Sequence, residues 1–416
     1  MDYSVDGLVP TTIESPKTLD ELSGCLAEAT GTKQSVIPWG GGTRMCIGNV
    51  PRAYDVALDT TNLINTLEHV PGDMTVVVDA GVRVKQLEDV LAKSGQRLAF
   101  EIKRSNDSTI GGAVASNASG RRQSSTGGIR DWVIGMQIVL PDGTVTKSGG
   151  RVVKNVQGYE LHRLHTGAFG TLGVISQVAL KLQPLPTESQ SVLTWFDDLE
   201  AASKMGAGLY NSVFTPEATS SVQGSALIPL IELCGEQASA DVKSAVLVRV
   251  SGGVRSVERQ VNEIKVISGT NGSIGFAVLD KAANDSAWKT IESQEVDSTL
   301  SVRITARNQT VTELAGRLTS QYSEDEVSAV TDLGFGAATL TCTLKNLERE
   351  SAVANGIIDA AQKSGCSYTV ENCSTDLKKS LDVFSEVGPA IELMRRVKNQ
   401  YDPTSLLNPG RFVGKI

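Results

Sequence analysis

Glycine, alanine, serine and threonine dominate one stretch of the sequence, Ser108–Arg122. Almost no side chain longer than valine precedes Arg121 and Arg122, so the stretch offers a partner backbone amides, hydroxyls and one carboxamide. Glycine accepts positive φ and lets a ligand approach the main chain, and successive exposed N–H groups form a concavity that suits an anion. Small residues equally allow two backbones to pack closely without a ligand. A phosphate-bearing cofactor is therefore the first hypothesis, with close packing as its alternative.

Two further clusters of small residues occur at Gly40–Gly42 and Gly167–Ile175. Three consecutive glycines favour an open turn with accessible N–H groups, although a plain flexible turn fits the same residues. In the other cluster the glycines recur at intervals of three and lead into an alternating strand. Neither cluster has the G-x-G-x-x-G spacing of a Rossmann turn or the G-x-x-x-x-G-K of a P-loop, which disfavours both of those folds.

The composition is that of a globular protein with more than one domain. A chain of 416 residues exceeds the size at which one core keeps growing, so two domains are expected. A net charge of −8 disfavours nonspecific binding to nucleic acid or to an anionic membrane. No apolar run approaches the ~20 residues of a membrane span, and the acidic start Met1–Asp6 does not resemble a signal peptide. These features predict a cytoplasmic protein without a transmembrane segment.

The cysteines and histidines do not predict a metal site. The six cysteines contain no C-x-x-C pair, which is typical of thiols in a reducing compartment. His162 and His165 lie one helical turn apart and would suit a shared metal, but no neighbouring cysteine or acidic cluster completes a ligand set. A structural role is the favoured interpretation of both histidines.

The elements that must position the glycine clusters alternate between helix and strand. A capping box at Thr18–Glu21 predicts a helix, and strands are predicted over 54–59 and 75–81. A further helix is predicted over Val84–Lys93, and Pro141–Gly143 indicates a hairpin turn between two strands. We therefore expect an α+β or α/β domain around the clusters.

A second domain is predicted after the Gln183–Pro186 boundary. Strand-then-helix patterns recur along it, followed by a hairpin-like stretch around 330–344, and these favour a mainly antiparallel sheet with helices on one face. The predicted boundaries are residues 1–185 for the first domain, 186–385 for the second and 386–416 for a C-terminal segment.

Taken together, the motifs resemble those of the FAD-binding oxidoreductases of the vanillyl-alcohol oxidase type, whose flavin domain is called the p-cresol methylhydroxylase (PCMH) type. Within that family they are most similar to the E-type subunit of bacterial glycolate oxidase. The likeness covers nearly the whole chain in four separated motifs: Pro38–Thr43, Ser108–Gly120, Val153–Tyr159 continuing through Gly170–Ile175, and Leu407–Phe412.

The resemblance implies an α+β fold: a two-lobed PCMH-type FAD-binding domain with a mainly antiparallel α+β cap domain. It places the FAD pyrophosphate between the first two motifs, its adenine beside the third and its isoalloxazine beside the fourth. The cofactor-binding residues that it implies are Pro38, Trp39, Gly40, Gly41, Gly42, Thr43, Arg44, Ser108, Thr109, Ile110, Gly111, Gly112, Ala115, Asn117, Ser119, Gly120, Gly173, Val174, Ile175, Asn408 and Arg411.

Several of these assignments have alternatives. Asn408–Gly410 would also serve as a helix stop. Arg44, Arg104, Arg121 and Arg122 would add charge at one edge of the FAD site or would be solvated surface residues. Tyr159 would line the flavin site or pack elsewhere.

The resemblance also implies that FAD is bound non-covalently. Members that attach FAD through the first turn have a histidine after its glycines, and Thr43 occupies that position in this chain. Cys46, three residues further on, is the one nearby residue that keeps a covalent link open.

The chemistry implied by this family is oxidation of a hydroxyl-bearing carbon. FAD would accept a hydride while a base takes the hydroxyl proton, and an arginine fork suits a substrate carboxylate. Arg303 in the predicted cap is the candidate anchor, with a structural or surface role as its alternative. Catalytic relatives have a His-x-Gly-Asp-Gly-Asn motif with metal-binding histidines in the cap, and no histidine follows His165.

Two functions of different classes follow from the resemblance. The chain would be a flavoenzyme, or a subunit of one, that oxidises a small 2-hydroxy acid and passes electrons to a partner. Alternatively it would be a non-catalytic FAD-binding subunit that relays electrons. The implied partners are a paralogous flavin subunit and an iron–sulfur subunit, which would place the protein in the cytoplasm or peripherally at the inner membrane.

Overall fold

The computed structural model describes residues 2–118, 120–151, 158–235 and 241–416, which form two compact units. Unit 1 comprises Met1–Gly120, Gly127–Leu185 and Lys378–Ile416, and unit 2 comprises Arg121–Thr126 and Pro186–Leu377. Within the described ranges, no helix has the length and apolar character needed to cross a membrane.

Helices and strands alternate along much of the chain. Up to the end of the second segment of unit 1 the described elements are β1 (Thr12–Glu14), α1 (Leu19–Thr32), β2 (Val36–Trp39), β3 (Val56–Asp59), β4 (Leu67–Val70), β5 (Thr75–Asp79), α2 (Val84–Ala92), β6 (Gln96–Arg97), α3 (Ile110–Ala115), α4 (Gln123–Thr126), β7 (Val133–Val139), β8 (Val145–Gly149), α5 (His162–His165), β9 (Val174–Lys181) and β10 (Gln183–Pro184). From there they are β11 (Glu188–Phe196), α6 (Leu199–Tyr210), β12 (Ala218–Gln223), α7 (Leu227–Glu232), β13 (Ser244–Gly252), α8 (Val254–Thr270), β14 (Gly275–Val278), α9 (Lys281–Asp297), β15 (Leu300–Thr305), α10 (Asn308–Gln321), β16 (Ser328–Asp332), β17 (Ala337–Cys342), α11 (Leu347–Lys363), β18 (Ser367–Asn372), α12 (Thr375–Ser380) and α13 (Ala390–Tyr401).

Unit 1 contains a parallel sheet and an antiparallel sheet. The parallel sheet has the order β1-β3-β2, and the antiparallel sheet has the order β4-β5-β9-β7-β8. The C-terminal segment adds to the parallel sheet, because Val36 forms a parallel bridge with Leu407 and accepts the backbone N–H of Asn408 at 2.9 Å. Leu407 and Asn408 are thus hydrogen-bonded to the strand that precedes the first glycine turn.

The local patterns of unit 1 fold as predicted. Thr18 caps α1 by accepting the backbone N–H of Glu21, and Leu22 and Leu26 are buried on the inner face of that helix. Strands β7 and β8 form the predicted antiparallel hairpin, with Gly143 of its turn at φ 84°.

Unit 2 is built on one antiparallel sheet of eight strands in the order β14-β11-β13-β12-β16-β17-β15-β18. Alternate side chains of β13 enter two separate cores. Val246, Val248 and Val250 pack with α6 and α8, whereas Ala245 and Leu247 pack with α7 and α9. The prediction of helices on one face was therefore wrong: both faces of this part of the sheet are apolar, and each needs a covering layer.

Candidate functional site

The first glycine turn leaves no room for side chains. A Cβ atom on Gly41 would lie 1.7 Å from the carbonyl oxygen of Asp107, and one on Gly40 would lie 2.2 Å from Thr109 Oγ1. Gly42 has φ +71°, a conformation that favours glycine. The first glycine turn is therefore closely packed against residues 107–109 rather than the plain flexible turn that was the alternative for Gly40–Gly42.

The second stretch is fixed to this turn by its hydroxyl groups. Thr43 Oγ1 lies 3.0 Å from Ser108 Oγ, and Thr109 caps α3 by accepting the backbone N–H of Gly112 at 3.3 Å. Gly111 faces the other way, because a Cβ atom there would lie 2.6 Å from the Cβ atom of Ala80. The stretch thus presents some of its small residues to the turn and uses others for internal packing.

The turn, the second stretch and the C-terminal segment line one cleft of unit 1. Twelve of the predicted cofactor-binding residues line it: Pro38, Gly40, Gly41, Gly42, Thr43, Arg44, Ser108, Thr109, Gly112, Ala115, Asn408 and Arg411. The remaining described members of the predicted set are not among the lining residues: Trp39, Ile110, Gly111, Asn117, Gly120, Gly173, Val174 and Ile175. Ser119 lies outside the described residues, as does 152–157, which contains most of the Val153–Tyr159 motif.

The residues that do not line the cleft have packing roles nearby. Trp39 donates its indole N–H to the hydroxyl of Tyr54 at 2.6 Å. Val174 and Ile175 pair with β7, and Gly173 precedes them with no space for a Cβ atom beside Ile138. The predicted contact of this third motif with adenine remains a prediction.

Arg411 is a buried cation in the cleft. Its Nη2 donates to the carbonyl oxygens of Met45 at 2.8 Å and Ile47 at 2.9 Å, and its Nη1 donates to Asn408 Oδ1 at 3.3 Å. The side chain is 3% exposed, and burial lowers its pKa from the usual value. Its Nε donor has no partner among the described residues. The guanidinium therefore retains one donor for an acceptor atom of a bound group.

A buried ion pair between Lys398 and Asp402 fixes the C-terminal segment. Lys398 Nζ donates to Asp402 Oδ2 at 2.6 Å and to the carbonyl oxygens of Thr171 and Leu407 at 2.8 and 2.9 Å. Asp402 in turn accepts the backbone N–H groups of Leu406 and Leu407. These contacts join the residues just before the fourth motif to the loop before β9.

Sequence reasoning did not identify Phe169, which also lines the cleft. Its backbone has φ 53°, its carbonyl oxygen accepts the side-chain N–H of Asn408, and its ring contacts those of Phe384 and Phe412 at centroid distances of 5.9 and 5.3 Å. An aromatic residue between two glycines of a glycine-spaced turn was the available signal.

The two histidines of the third region are buried within unit 1. His162 Nδ1 lies 3.2 Å from Ser148 Oγ, and the ring of His165 stacks edge-on against Tyr401 with a centroid distance of 5.3 Å. Burial lowers the pKa of His165 to about 4, so its ring is neutral at physiological pH. Tyr159, predicted to line the flavin site or to pack elsewhere, is 89% exposed.

Two of the four predicted edge arginines belong to unit 2. Arg121 is paired with Glu295 and Arg122 with Glu217, both at 2.5 Å. Glu295 and Glu217 are buried, so neither arginine is a solvated surface residue.

Arg303 lies on one face of the unit 2 sheet with a set of polar residues, which we call the polar face: Ser220, Asp332, Thr339, Arg303 and Ser301. Their common orientation follows from the strand register, because Arg303 pairs with Thr339, Ala337 is two residues from Thr339, and Asp332 pairs with both Ala337 and Ser220.

Arg303 itself is half-buried on this face. Among the described residues, no acceptor lies within hydrogen-bonding distance of its guanidinium and no carboxylate lies within 4.0 Å. A half-buried guanidinium without a partner is a suitable binding group for a carboxylate.

Sequence reasoning missed Asp332. In the run Asp332-Leu333-Gly334-Phe335-Gly336-Ala337 the glycines have the spacing of those in the His-x-Gly-Asp-Gly-Asn motif, and the aspartate stands at the position of the histidine. A search for histidine alone could not find it.

Comparison with known proteins finds two FAD-linked domains in the chain. The FAD binding domain family matches residues 10–149, and the C-terminal domain of FAD linked oxidases matches residues 378–412. Glycolate oxidase subunit GlcD of Bacillus subtilis is 25% identical over 98% of this chain and 90% of its own length. The mitochondrial D-lactate dehydrogenase (cytochrome) of Arabidopsis thaliana is 25% identical over 97% of this chain and 74% of its own length. The crystal structure of p-cresol methylhydroxylase with substrate bound has a TM-score of 0.73 at 15% identity, covering 96% of this chain and 88% of that one.

The fold is that of the PCMH-type flavin oxidases, and the residues of the cleft fit FAD. The glycine turn and the second stretch provide backbone groups without competing side chains, and Arg411 provides a buried positive charge with an unpaired donor. The chain contains an FAD binding domain over residues 10–149 and a match to the C-terminal domain of FAD linked oxidases over residues 378–412. It is an FAD-linked oxidoreductase, and FAD is its cofactor.

Proposed function

We propose that this protein oxidises a small 2-hydroxy acid and that Arg303 binds the substrate carboxylate. The supporting observation is the half-buried Arg303 guanidinium, which has no hydrogen-bond or ion-pair partner within the described residues. The names of two relatives, a glycolate oxidase subunit and a D-lactate dehydrogenase, refer to substrates of this class. We further propose that the Gly40–Thr43 turn and the described part of Ser108–Gly120 bind the FAD pyrophosphate.

The reaction requires three groups. FAD, when bound, accepts the hydride from the carbon that bears the hydroxyl. The protein must bind the carboxylate so that this carbon is correctly oriented, and it must supply a base for the hydroxyl proton. The positive charge of Arg303 serves to bind the carboxylate.

Anaerobic mixing of the purified protein with glycolate and with D-lactate tests the proposal. At least one of these acids should bleach the absorbance of the bound flavin. Arg303→Ala should lower kcat/KM for that substrate by about 100-fold, because it removes charge-assisted hydrogen bonds to the carboxylate. Arg303→Lys should recover part of this loss, since lysine retains the charge without the fork.

Arg307→Ala is the matched control. Arg307 is exposed, lies four residues from Arg303 and provides only its backbone to the start of α10. Its substitution should leave reduction unchanged. Equal losses in the two alanine variants would contradict a specific role of Arg303.

A second candidate function is an FAD-binding subunit that relays electrons for a catalytic partner. One sequence observation favours it: the three histidines are His69, His162 and His165, so the chain lacks the histidine motif that catalytic relatives have in the cap. A flavin spectrum unchanged by either acid would support this role. A paralogous flavin subunit and an iron–sulfur subunit are the proposed partners in both cases, with the protein in the cytoplasm or attached peripherally through them to the inner membrane.

A further inference from the structure

Asp332 is a buried carboxylate with one oxygen in use and one available. The side chain is 5% exposed, and its Oδ1 accepts the backbone N–H groups of Gly334 at 3.2 Å and Phe335 at 3.3 Å. Its Oδ2 accepts no hydrogen bond from any described residue. The backbone contacts fix the carboxylate in one orientation and leave Oδ2 for another partner.

Two serines of the polar face also have side-chain oxygens without partners in the described part of the chain. Ser220, directly opposite it on β12, and Ser301, two residues before Arg303 on β15, are fully buried. Neither hydroxyl has a hydrogen-bond partner among the described residues. The Ser220 and Ser301 hydroxyls are therefore available to polar atoms of a molecule bound beside Arg303 and Asp332.

Several ionisable groups of unit 2 interact with Asp332 or with its neighbours. Arg121 and Arg303 favour its ionised form, and Glu295 of α9 pairs with Arg121. Tyr210 of α6 lies close enough for the carboxylate to affect the pKa of its hydroxyl. Burial is the largest influence on Asp332 and raises its pKa above the usual value, while the two arginines and the backbone N–H groups oppose that rise.

Arg121, one of the two arginines that act on Asp332, directly follows Gly120 in the sequence.

We propose that Asp332 is the catalytic base, which takes the hydroxyl proton of a 2-hydroxy acid bound at Arg303; this rests on the proposed function. The O–H bond breaks and its proton passes to Asp332 Oδ2, while the C–H bond breaks and its hydrogen leaves with both electrons to FAD. A C=O bond forms in their place, so the products are a 2-oxo acid, reduced cofactor and a protonated aspartate. Burial makes a carboxylate a stronger base than an exposed one, and the two arginines favour the ionised form that accepts the proton.

The opposed charges also fit the substrate. No contact within 4.0 Å joins Arg303 and Asp332, although each influences the other electrostatically. A 2-hydroxy acid has its anionic carboxylate and its hydroxyl on adjacent carbons. It would place its carboxylate at Arg303 and its hydroxyl at Asp332.

Asp332→Asn tests this role, because asparagine retains an Oδ1 acceptor for the turn and loses the base. We expect FAD content to stay unchanged and the binding of oxalate, read from the flavin spectrum, to stay equal or become tighter. The rate of anaerobic flavin reduction by glycolate or D-lactate should fall at least about 100-fold. The wild-type rate should fall at acidic pH with an apparent pKa above 3.8, and the residual rate of the variant should lack that pH dependence.

Asp198→Asn is the control, since Asp198 Oδ1 also accepts a backbone N–H, that of Glu200 at 3.1 Å, at the start of α6. Its reduction rate and oxalate binding should match those of the wild type. If the wild type is active and Asp332→Asn is reduced at nearly the same rate, the proposed role of Asp332 is overturned and the proposed function is not. Weaker oxalate binding and a lower melting temperature in that variant would show a merely structural residue. A wild-type protein that neither binds oxalate nor is reduced overturns both the proposed function and this inference.

Discussion

Arg411 and Arg303 show how differently one residue type is used in this chain. Arg411 is almost fully buried and donates to backbone carbonyls and to Asn408, so it both organises the cleft and adds charge to it. Arg303 lies on a strand of unit 2 and has no such contacts within the described residues. The fourth motif led to the prediction for Arg411, and the position of Arg303 on a predicted cap strand led to the prediction for Arg303; both roles remain predictions. Burial and partners depend on distant segments, and a single sequence does not reveal them.

His165 provides a prediction at the same scale. Its pKa is about 4 in the folded protein and 6.5 without burial, so the unfolded chain binds a proton between those values that the folded chain does not. The free energy of unfolding should therefore decrease by up to about 3 kcal/mol as pH falls from 6.5 to 4, and be unaffected by this residue above that window.

His165→Phe retains a ring beside Tyr401 and removes the titration. Thermal unfolding of both proteins across pH 4–7 is the measurement, and the difference in melting temperature should move in favour of the variant toward pH 4. A parallel pH dependence in the two proteins would contradict the prediction.

The elements fall into those with a clear sequence pattern and those without one. The α1 capping box and the β7–β8 hairpin were predictable because local side chains and turn residues define them. Strand β12 was not predicted, because its buried residues on both faces include Ser220 and Ser221, and it has no apolar alternation.

Helix α9 was missed for a related reason. Its buried residues are Ala287, Ile291 and Glu295, a narrow stripe that ends in a charge. That charge pairs with Arg121 from a distant part of the chain, which periodicity cannot indicate. The polar face was therefore the part of the candidate site that sequence patterns described least.

The glycine turn gives a prediction at the scale of an element. In Gly41→Ala, the new Cβ atom would lie 1.7 Å from a backbone oxygen, so the turn or the second stretch must move. Overpacking of this kind costs about 1–3 kcal/mol, which corresponds to roughly a 5- to 150-fold loss of FAD affinity. Flavin absorbance per chain after purification, and titration of the apoprotein with FAD, measure it.

Gly31→Ala is the matched substitution, because a Cβ atom on Gly31 in α1 meets nothing within 4 Å. It should bind FAD as the wild type does. If Gly41→Ala also bound FAD normally, close backbone packing at the turn would not be needed for the cofactor.

At the scale of the whole molecule, unit 1 draws its cleft from three separate stretches of chain. The first two provide the glycine turn and Phe169, and the last provides Asn408 and Arg411. Sequence motifs indicated the glycine turn, Asn408 and Arg411, because these lie in segments of small or turn-forming residues. They did not indicate Phe169. The two-unit division itself rests on many distributed contacts that no motif encodes.

The mode of FAD attachment is testable on the intact protein. Thr43 occupies the position where covalent members have histidine, so we expect that acid precipitation of the holoprotein releases all of the flavin into the supernatant. Cys46→Ser should behave identically, because the prediction assigns no flavin bond to that thiol. A yellow precipitate from the wild type that becomes colourless in Cys46→Ser would identify a covalent link instead.

The bridge between Val36 and Leu407 also has a consequence for biosynthesis. Residues 186–377 form almost all of unit 2. The ribosome therefore translates all of unit 2 before it reaches Leu407, the residue that pairs with Val36. The cleft of a nascent chain therefore lacks Arg411 until all of unit 2 has been translated. Stable capture of the cofactor is thus expected only after residue 411 has been added.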